Sequence, residues 1–164
     1  MSVASPGRVV QLSVNPEGGV PKPRVPRIEV HAGGVVGDLQ RDLDHHGGPD
    51  RAVCLFASER IAALQAEGHP IAAGTTGENL TTAGVDWSSL GAGDQLHVGD
   101  QVVLEISGPA PPCRTIADSF EGGAFKRISA TVHPGWRRLY ARVINPGPIT
   151  VGDPIGVVHA ARST

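Results

Sequence analysis

Cys113 lies in the run Pro109-Ala110-Pro111-Pro112-Cys113-Arg114, where two prolines lead directly into a thiol and an arginine follows it. Proline locks φ and biases the residue before it toward extended backbone, so the sulfur is expected in a defined, non-helical position. The Arg114 guanidinium beside it would favour thiolate, the form that attacks electrophiles and binds soft metals. A free cysteine is also a small hydrophobe that packs well in a core, and the local sequence leaves both readings open.

The densest polar stretch runs from Gly33-Gly34-Val35-Val36-Gly37-Asp38 through Asp42, Asp44, His45, His46, Gly47, Gly48, Pro49, Asp50 and Arg51. Gly47 and Gly48 leave room for backbone N–H groups to approach an anion, and Arg51 could complete such a cradle as a bidentate donor. A divalent metal on Asp44, His45 and His46 is disfavoured, because adjacent histidines in extended chain point to opposite sides. A polar turn whose histidines bond to backbone accounts for the same residues. Thr75-Thr76-Gly77-Glu78-Asn79-Leu80-Thr81-Thr82 gathers hydroxyls, an amide and a carboxylate that could bind the polar edge of a heterocycle or simply form a turn. Lys22, between Pro21 and Pro23, is a cation on a restrained loop, placed to meet a phosphate or only water. The chain has no G-x-x-x-x-G-K-[ST] loop, no strand-coupled G-x-G-x-x-G and no G-x-S-x-G elbow, which argues against nucleotide hydrolysis, dinucleotide binding and serine-hydrolase chemistry of the standard kinds.

These residues must be positioned by a chain of 164 residues, long enough for one domain with a sizeable core. A formal net charge of −2 with mixed signs gives no basic stripe for nucleic acid or an anionic bilayer, so the expected partner is a small molecule. No leader-like start and no membrane-length apolar run is visible, and a cytoplasmic location is expected. Cys54 and Cys113 are the only cysteines, so no disulfide framework is expected, and Cys54, inside an apolar strand pattern, is assigned to the core. The 22 glycines and 14 prolines are scattered between apolar segments, which marks frequent turns. Strands are predicted at Val9 to Val14, Ile28 to Val30, Ala52 to Phe56, Val102 to Ile106, Leu139 to Ile144 and Ile155 to Val158. Gly93-Asp94, Gly99-Asp100 and Gly152-Asp153 read as turns at strand starts. Val102 to Ile106 alternates poorly, which predicts burial on both faces or a barrel interior. Ser58 is the expected N-cap of a helix through Glu67 ended by Gly68, and a second helix is predicted from about Gly123 to Val132 with Phe125, Ile128 and Val132 on one face. The class is mainly β, a barrel or sandwich with a few short helices.

In order along the chain, Val20-Pro21-Lys22, Gly37-Asp38, His46-Gly47-Gly48-Pro49-Asp50-Arg51-Ala52-Val53, Gly77-Glu78-Asn79-Leu80, Gly93-Asp94, Gly99-Asp100, Pro112-Cys113, Gly135-Trp136, Ala141-Arg142-Val143 and Gly152-Asp153-Pro154-Ile155 resemble the MOSC domain of the stand-alone bacterial type. The resemblance covers about residues 8 to 158 of a single domain. It implies a β-barrel like the small barrel domain of pyruvate kinase, and binding of a molybdenum cofactor (Mo-pterin). Cys113 matches the family's characteristic cysteine, a catalytic position that carries sulfur or ligates molybdenum. Lys22 and Arg51 become candidates for the cofactor's phosphate. His46, Gly47, Gly48, Glu78 and Asn79 are candidates for pterin contact or loop fixing, and Arg114 for tuning the thiol. The resemblance further implies reduction of N-hydroxylated or N-oxygenated compounds with electrons from a separate reductase, since two cysteines cannot hold an iron–sulfur cluster. The alternative is a sulfur carrier or cofactor chaperone with a persulfide on Cys113, where any pyridoxal phosphate (PLP) belongs to a partner desulfurase.

Overall fold

A computed structural model describes residues 7–39 and 48–161 of the protein. Among these residues the strands are β1 (Gly7–Ser13), β2 (Arg24–Val25), β3 (Arg27–His31), β4 (Gly34–Val35), β5 (Val53–Ala57), β6 (Leu80–Ala83), β7 (Gln95–Val98), β8 (Val102–Ala110), β9 (Arg138–Asn145), β10 (Gly147–Thr150) and β11 (Pro154–Val158). One α-helix, α1 (Ser58–Ala66), and several short 3₁₀ turns complete the set.

Strands β11, β7, β8, β9, β5, β6 and β1 are hydrogen-bonded in that order, and β1 pairs back onto β11, so the sheet closes as a seven-stranded barrel. Closure removes the exposed edges that an open sheet would present. Strand β2 lies beside β1, and β10, β3 and β4 form a separate three-stranded sheet. Only β5 and β6 pair in parallel within the barrel, and the crossover between them carries α1, as a parallel connection requires. The mainly β barrel with few helices is the fold class that the sequence predicted.

Alternation fills the interior. Val53 and Leu55 of β5, Leu96 and Val98 of β7, Leu139 and Ala141 of β9, and Leu12, Leu80 and Ile155 are all buried in one cluster. Ile28, Val30 and Ile149 bring the small sheet onto the same core. Strand β8 alternates more cleanly than predicted: Val102, Leu104 and Ile106 face inward while Val103 and Glu105 stay half-exposed. Past Ile106 a bulge intervenes. Ile106 pairs with Ala141 but Gly108 pairs with Tyr140, so Ser107 is the extra residue and the end of β8 changes face. Without it Ala110 would point into the barrel; with it Ala110 joins Cys54 and Tyr140 in a separate small cluster on the other side of the sheet.

Two helix expectations change. Ala57, not Ser58, is the N-cap of α1, while Gly68 does end the helix at φ 101, its N–H bonding to Gln65 O and the His69 N–H to Leu64 O. The predicted helix from Gly123 to Val132 is only a 3₁₀ turn over Phe125–Ile128, preceded by a short turn containing Gly122 and Gly123 at positive φ. Ile128 is buried but Ser129 is extended, and Val132 is 56% exposed instead of sharing its face.

Leu104 is fully buried at the centre of the barrel. Leu104→Ala is expected to cost about 2–5 kcal/mol in urea unfolding, and a loss below about 1 kcal/mol would mean that the interior collapses to fill the gap.

Candidate functional site

The bulged end of β8 delivers the chain to Pro111, Pro112 and Cys113. Cys113 is extended, φ −139 and ψ 174, as its prolines predicted, and a 3₁₀ stretch over Arg114–Ser119 begins immediately after it. Its carbonyl accepts the Ile116 N–H at 3.1 Å. The thiol is free and half-buried.

Cys113 lines a cleft of about 720 Å³, a size suited to a small molecule. Val20 and Lys22, Arg51, Thr76 and Gly77, Pro111 to Ile116, Cys54, Arg138 and Tyr140 form its walls. Four of these residues carry positive charge and none is a carboxylate. Such a lining favours an anionic occupant.

The walls are built from different parts of the chain. Arg51 ends a 3₁₀ turn over Pro49–Arg51, entered through Gly48 at φ 81, where glycine meets no steric penalty. Arg142 of β9 holds the turn, its Nε 3.1 Å from Asp50 Oδ1 and its Nη1 on Glu105, while the Ser107 hydroxyl donates to Asp50 O. The Arg51 guanidinium lies 5.7 Å from the centroid of the Tyr140 ring, within cation–π range.

Lys22 Nζ donates to Asp38 Oδ2 at 2.5 Å, both side chains being nearly inaccessible. Asp38 also accepts the Asn15 N–H on Oδ1 and Asn79 Nδ2 on Oδ2, each at 2.8 Å. Asn79 is fully engaged: Oδ1 accepts the Cys54 N–H at 3.1 Å, Nδ2 also donates to Ser13 O, and its backbone bridges β1 and β5. Glu78 accepts the Gly74 N–H at 2.8 Å and the Thr76 hydroxyl at 3.3 Å and is fully buried. Neither Glu78 nor Asn79 is among the residues that line the cleft. Arg114 is exposed beside the thiol. His46 and Gly47, with Asp44 and His45, lie outside the described residues, and among the described residues no three His, Cys, Asp or Glu side chains cluster as a metal site.

Cys54 is a buried strand residue, as expected, and it also borders the cleft. It points to the side opposite Val53 and Leu55 and pairs in register with Tyr140. Burial pushes its thiol pKa up, with Arg138 the principal counterweight. Burial likewise pushes the Tyr140 phenol up to about 12, and both cysteines add to the shift, so the phenol stays protonated at physiological pH. Arg138 and Tyr140 were missed as site residues. The signal was present in Arg138-Leu139-Tyr140-Ala141-Arg142, where polar residues alternate with apolar ones and therefore share one face of a strand.

The chain belongs to the MOSC domain family, whose signature matches residues 42–156. Among curated relatives, the uncharacterised protein YflK of Bacillus subtilis is 33% identical over 71% of this chain and 52% of its own length. A protein named reductase from Gibberella moniliformis is 34% identical over 78% of this chain but 23% of its own length. The crystal structure of YiiM from Geobacillus stearothermophilus superposes with a TM-score of 0.73 at 26% identity, covering 94% of this chain and 76% of that one. The chain thus spans about half of YflK and a smaller part of the reductase. No described helix is long and apolar enough to cross a membrane.

Burial raises the Glu78 pKa, with Arg138 opposing, so the folded protein holds this proton to higher pH than the unfolded chain. The associated stability is fully present below the unfolded carboxyl value of about 4.3 and is lost as pH rises toward the folded one. Glu78→Gln, which keeps an acceptor for the Gly74 N–H, is expected to gain stability relative to wild type as pH rises above the unfolded carboxyl value. Parallel thermal-stability curves for the two proteins would remove Glu78 as the source of this dependence.

Proposed function

We propose that the cleft binds a molybdenum-pterin cofactor through Cys113 and that the protein reduces N-hydroxylated compounds with electrons from a separate reductase. The observation that carries this reading is a half-buried thiol on a cleft lined by Lys22, Arg51, Arg114 and Arg138, with no lining carboxylate among the described residues. Those residues fit the group: thiolate is a soft ligand for molybdenum, and cations suit the phosphate of a pyranopterin. Lys22 is ion-paired with Asp38, and Arg51 and Arg114 add positive charge to the same cleft wall, where a phosphate would meet it. When bound, the cofactor would supply the exchange of two electrons.

The chain's own residues do the rest. The prolines before Cys113 hold the thiol in extended backbone, and Tyr140 keeps a protonated phenol on the cleft wall. Reduction of R₂N–OH takes two electrons and two protons, breaks the N–O bond and releases R₂NH and water. The MOSC family assignment and the reductase-named relative support this class of chemistry.

Protein purified from a host that makes molybdenum cofactor should carry molybdenum and pterin near one per chain, and Cys113→Ser should lose the metal while keeping its thermal midpoint. Arg51→Ala should lower cofactor content at least severalfold with a stability change below about 1 kcal/mol. Metal-free protein that takes up sulfane sulfur on Cys113 from a cysteine desulfurase, seen as a mass increase at that residue, would replace this reading with the sulfur carrier.

A further inference from the structure

We infer that Arg138 is the positioning residue for Cys113, a buried bracket whose guanidinium fastens the two walls of the cleft to each other. The inference rests on Cys113 being the working thiol, and its readouts do not depend on which cofactor the cleft holds.

Arg138 opens β9 and pairs in register with Ala110 at the end of β8. Its side chain is 4% exposed. On one side Nη1 donates to Thr76 O at 2.5 Å; on the other Nη2 donates to Pro111 O at 3.1 Å and to Ala110 O at 3.5 Å. One planar group thereby joins the Thr76–Gly77 wall to the wall that ends in Cys113.

The second wall needs such a partner. Pro111 and Pro112 have no backbone N–H, so the approach to Cys113 cannot be held by donating to a neighbouring strand. Its carbonyls are the polar groups left by which to anchor it, and two of the three from Ala110 to Pro112 are bonded by Arg138. The first wall is braced in turn: Thr76 donates its hydroxyl to Glu78, which also accepts the Gly74 N–H. A guanidinium can reach carbonyls lying in two directions at fixed angles, whereas an ammonium on a flexible stem cannot hold both in one geometry. Arg138 Nε is buried with no hydrogen-bond partner among the described residues, a cost that a side chain optimised only for stability would not carry.

Arg138→Lys and Arg138→Gln test the bracket. Hydrogen–deuterium exchange is read on peptides covering residues 74–78, 110–117 and 102–106, and iodoacetamide alkylation of Cys113 is followed by peptide mass spectrometry at fixed pH. Both variants should speed exchange in 113–117 about tenfold, as expected for local opening, and leave 102–106 unchanged. Cys113 alkylation should rise severalfold in both, with lysine giving no rescue. Wild-type exchange and alkylation in Arg138→Lys would overturn the bracket, as would a uniform increase that includes 102–106. If neither variant folds, ¹⁵N spectra of the wild-type protein decide: slow rotation and solvent exchange of the Arg138 guanidinium are expected, and a freely rotating group would overturn the inference. Altered exchange in the variants of a protein that never takes up molybdenum would keep this inference and reject the cofactor reading; retained molybdenum with unaltered exchange would do the reverse.

Discussion

Asp38 Oδ2 accepts from both Lys22 Nζ and Asn79 Nδ2, Oδ1 accepts the Asn15 amide, and the walls of the cleft are secured around that knot. Removing a carboxylate and an ammonium from water is unfavourable, and their attraction offsets the loss only where the remaining donors and acceptors are also satisfied. Here they are. Asn79 carries the constraint inward, tying Asp38 to Ser13 on β1 and to Cys54 on β5. The Lys22 loop, the segment at Asp38 and two barrel strands are thus held by one carboxylate and one amide.

In this arrangement, polar residues that the sequence offers as ligands or loop fixers have their hydrogen bonds to the protein. Asn79 and Glu78 have the right chemistry to contact a heterocycle, but their hydrogen bonds go to the protein. Composition names the groups available for recognition; only the fold decides whether they face a ligand or hold the loops that do. Cys113 was legible because prolines act locally, fixing the backbone whatever packs around it. Cys54 was legible as a strand residue but not as a cleft residue, because β5 is buried on both faces and periodicity cannot say which buried face borders the core.

Much of the barrel was readable for a similar reason. The predicted strands carry runs of Val, Ile and Leu bounded by turn residues, and each is a strand in the structure. Strand β6 was hidden, since Leu80-Thr81-Thr82-Ala83 looks like a polar turn until Leu55 is found paired in parallel with Leu80. The bulge at Ser107 was also hidden: period-two counting from Leu104 and Ile106 puts Ala110 inside, and only the partner strand reveals the extra residue. The Phe125–Ile128 segment failed as a helix because two glycines at positive φ precede it and the apolar spacing marks a single anchor, Ile128, instead of a continuous face.

The pairing of Gly7 with Ile155 gives the barrel a temporal order during synthesis. Lys22, Arg51, Cys113 and Arg138 all leave the ribosome before the strand that seals the cylinder, so the residues of the cleft are present while β1 and β7 still lack their shared neighbour. Until β11 arrives, two unpaired edges remain open, the kind of surface on which nascent chains associate. Closure also joins residues nearly the full length of the sequence apart, and such distant pairing is slow. The last strand therefore acts as the latch of the fold, and the interval before it closes is when this chain most needs protection from its neighbours.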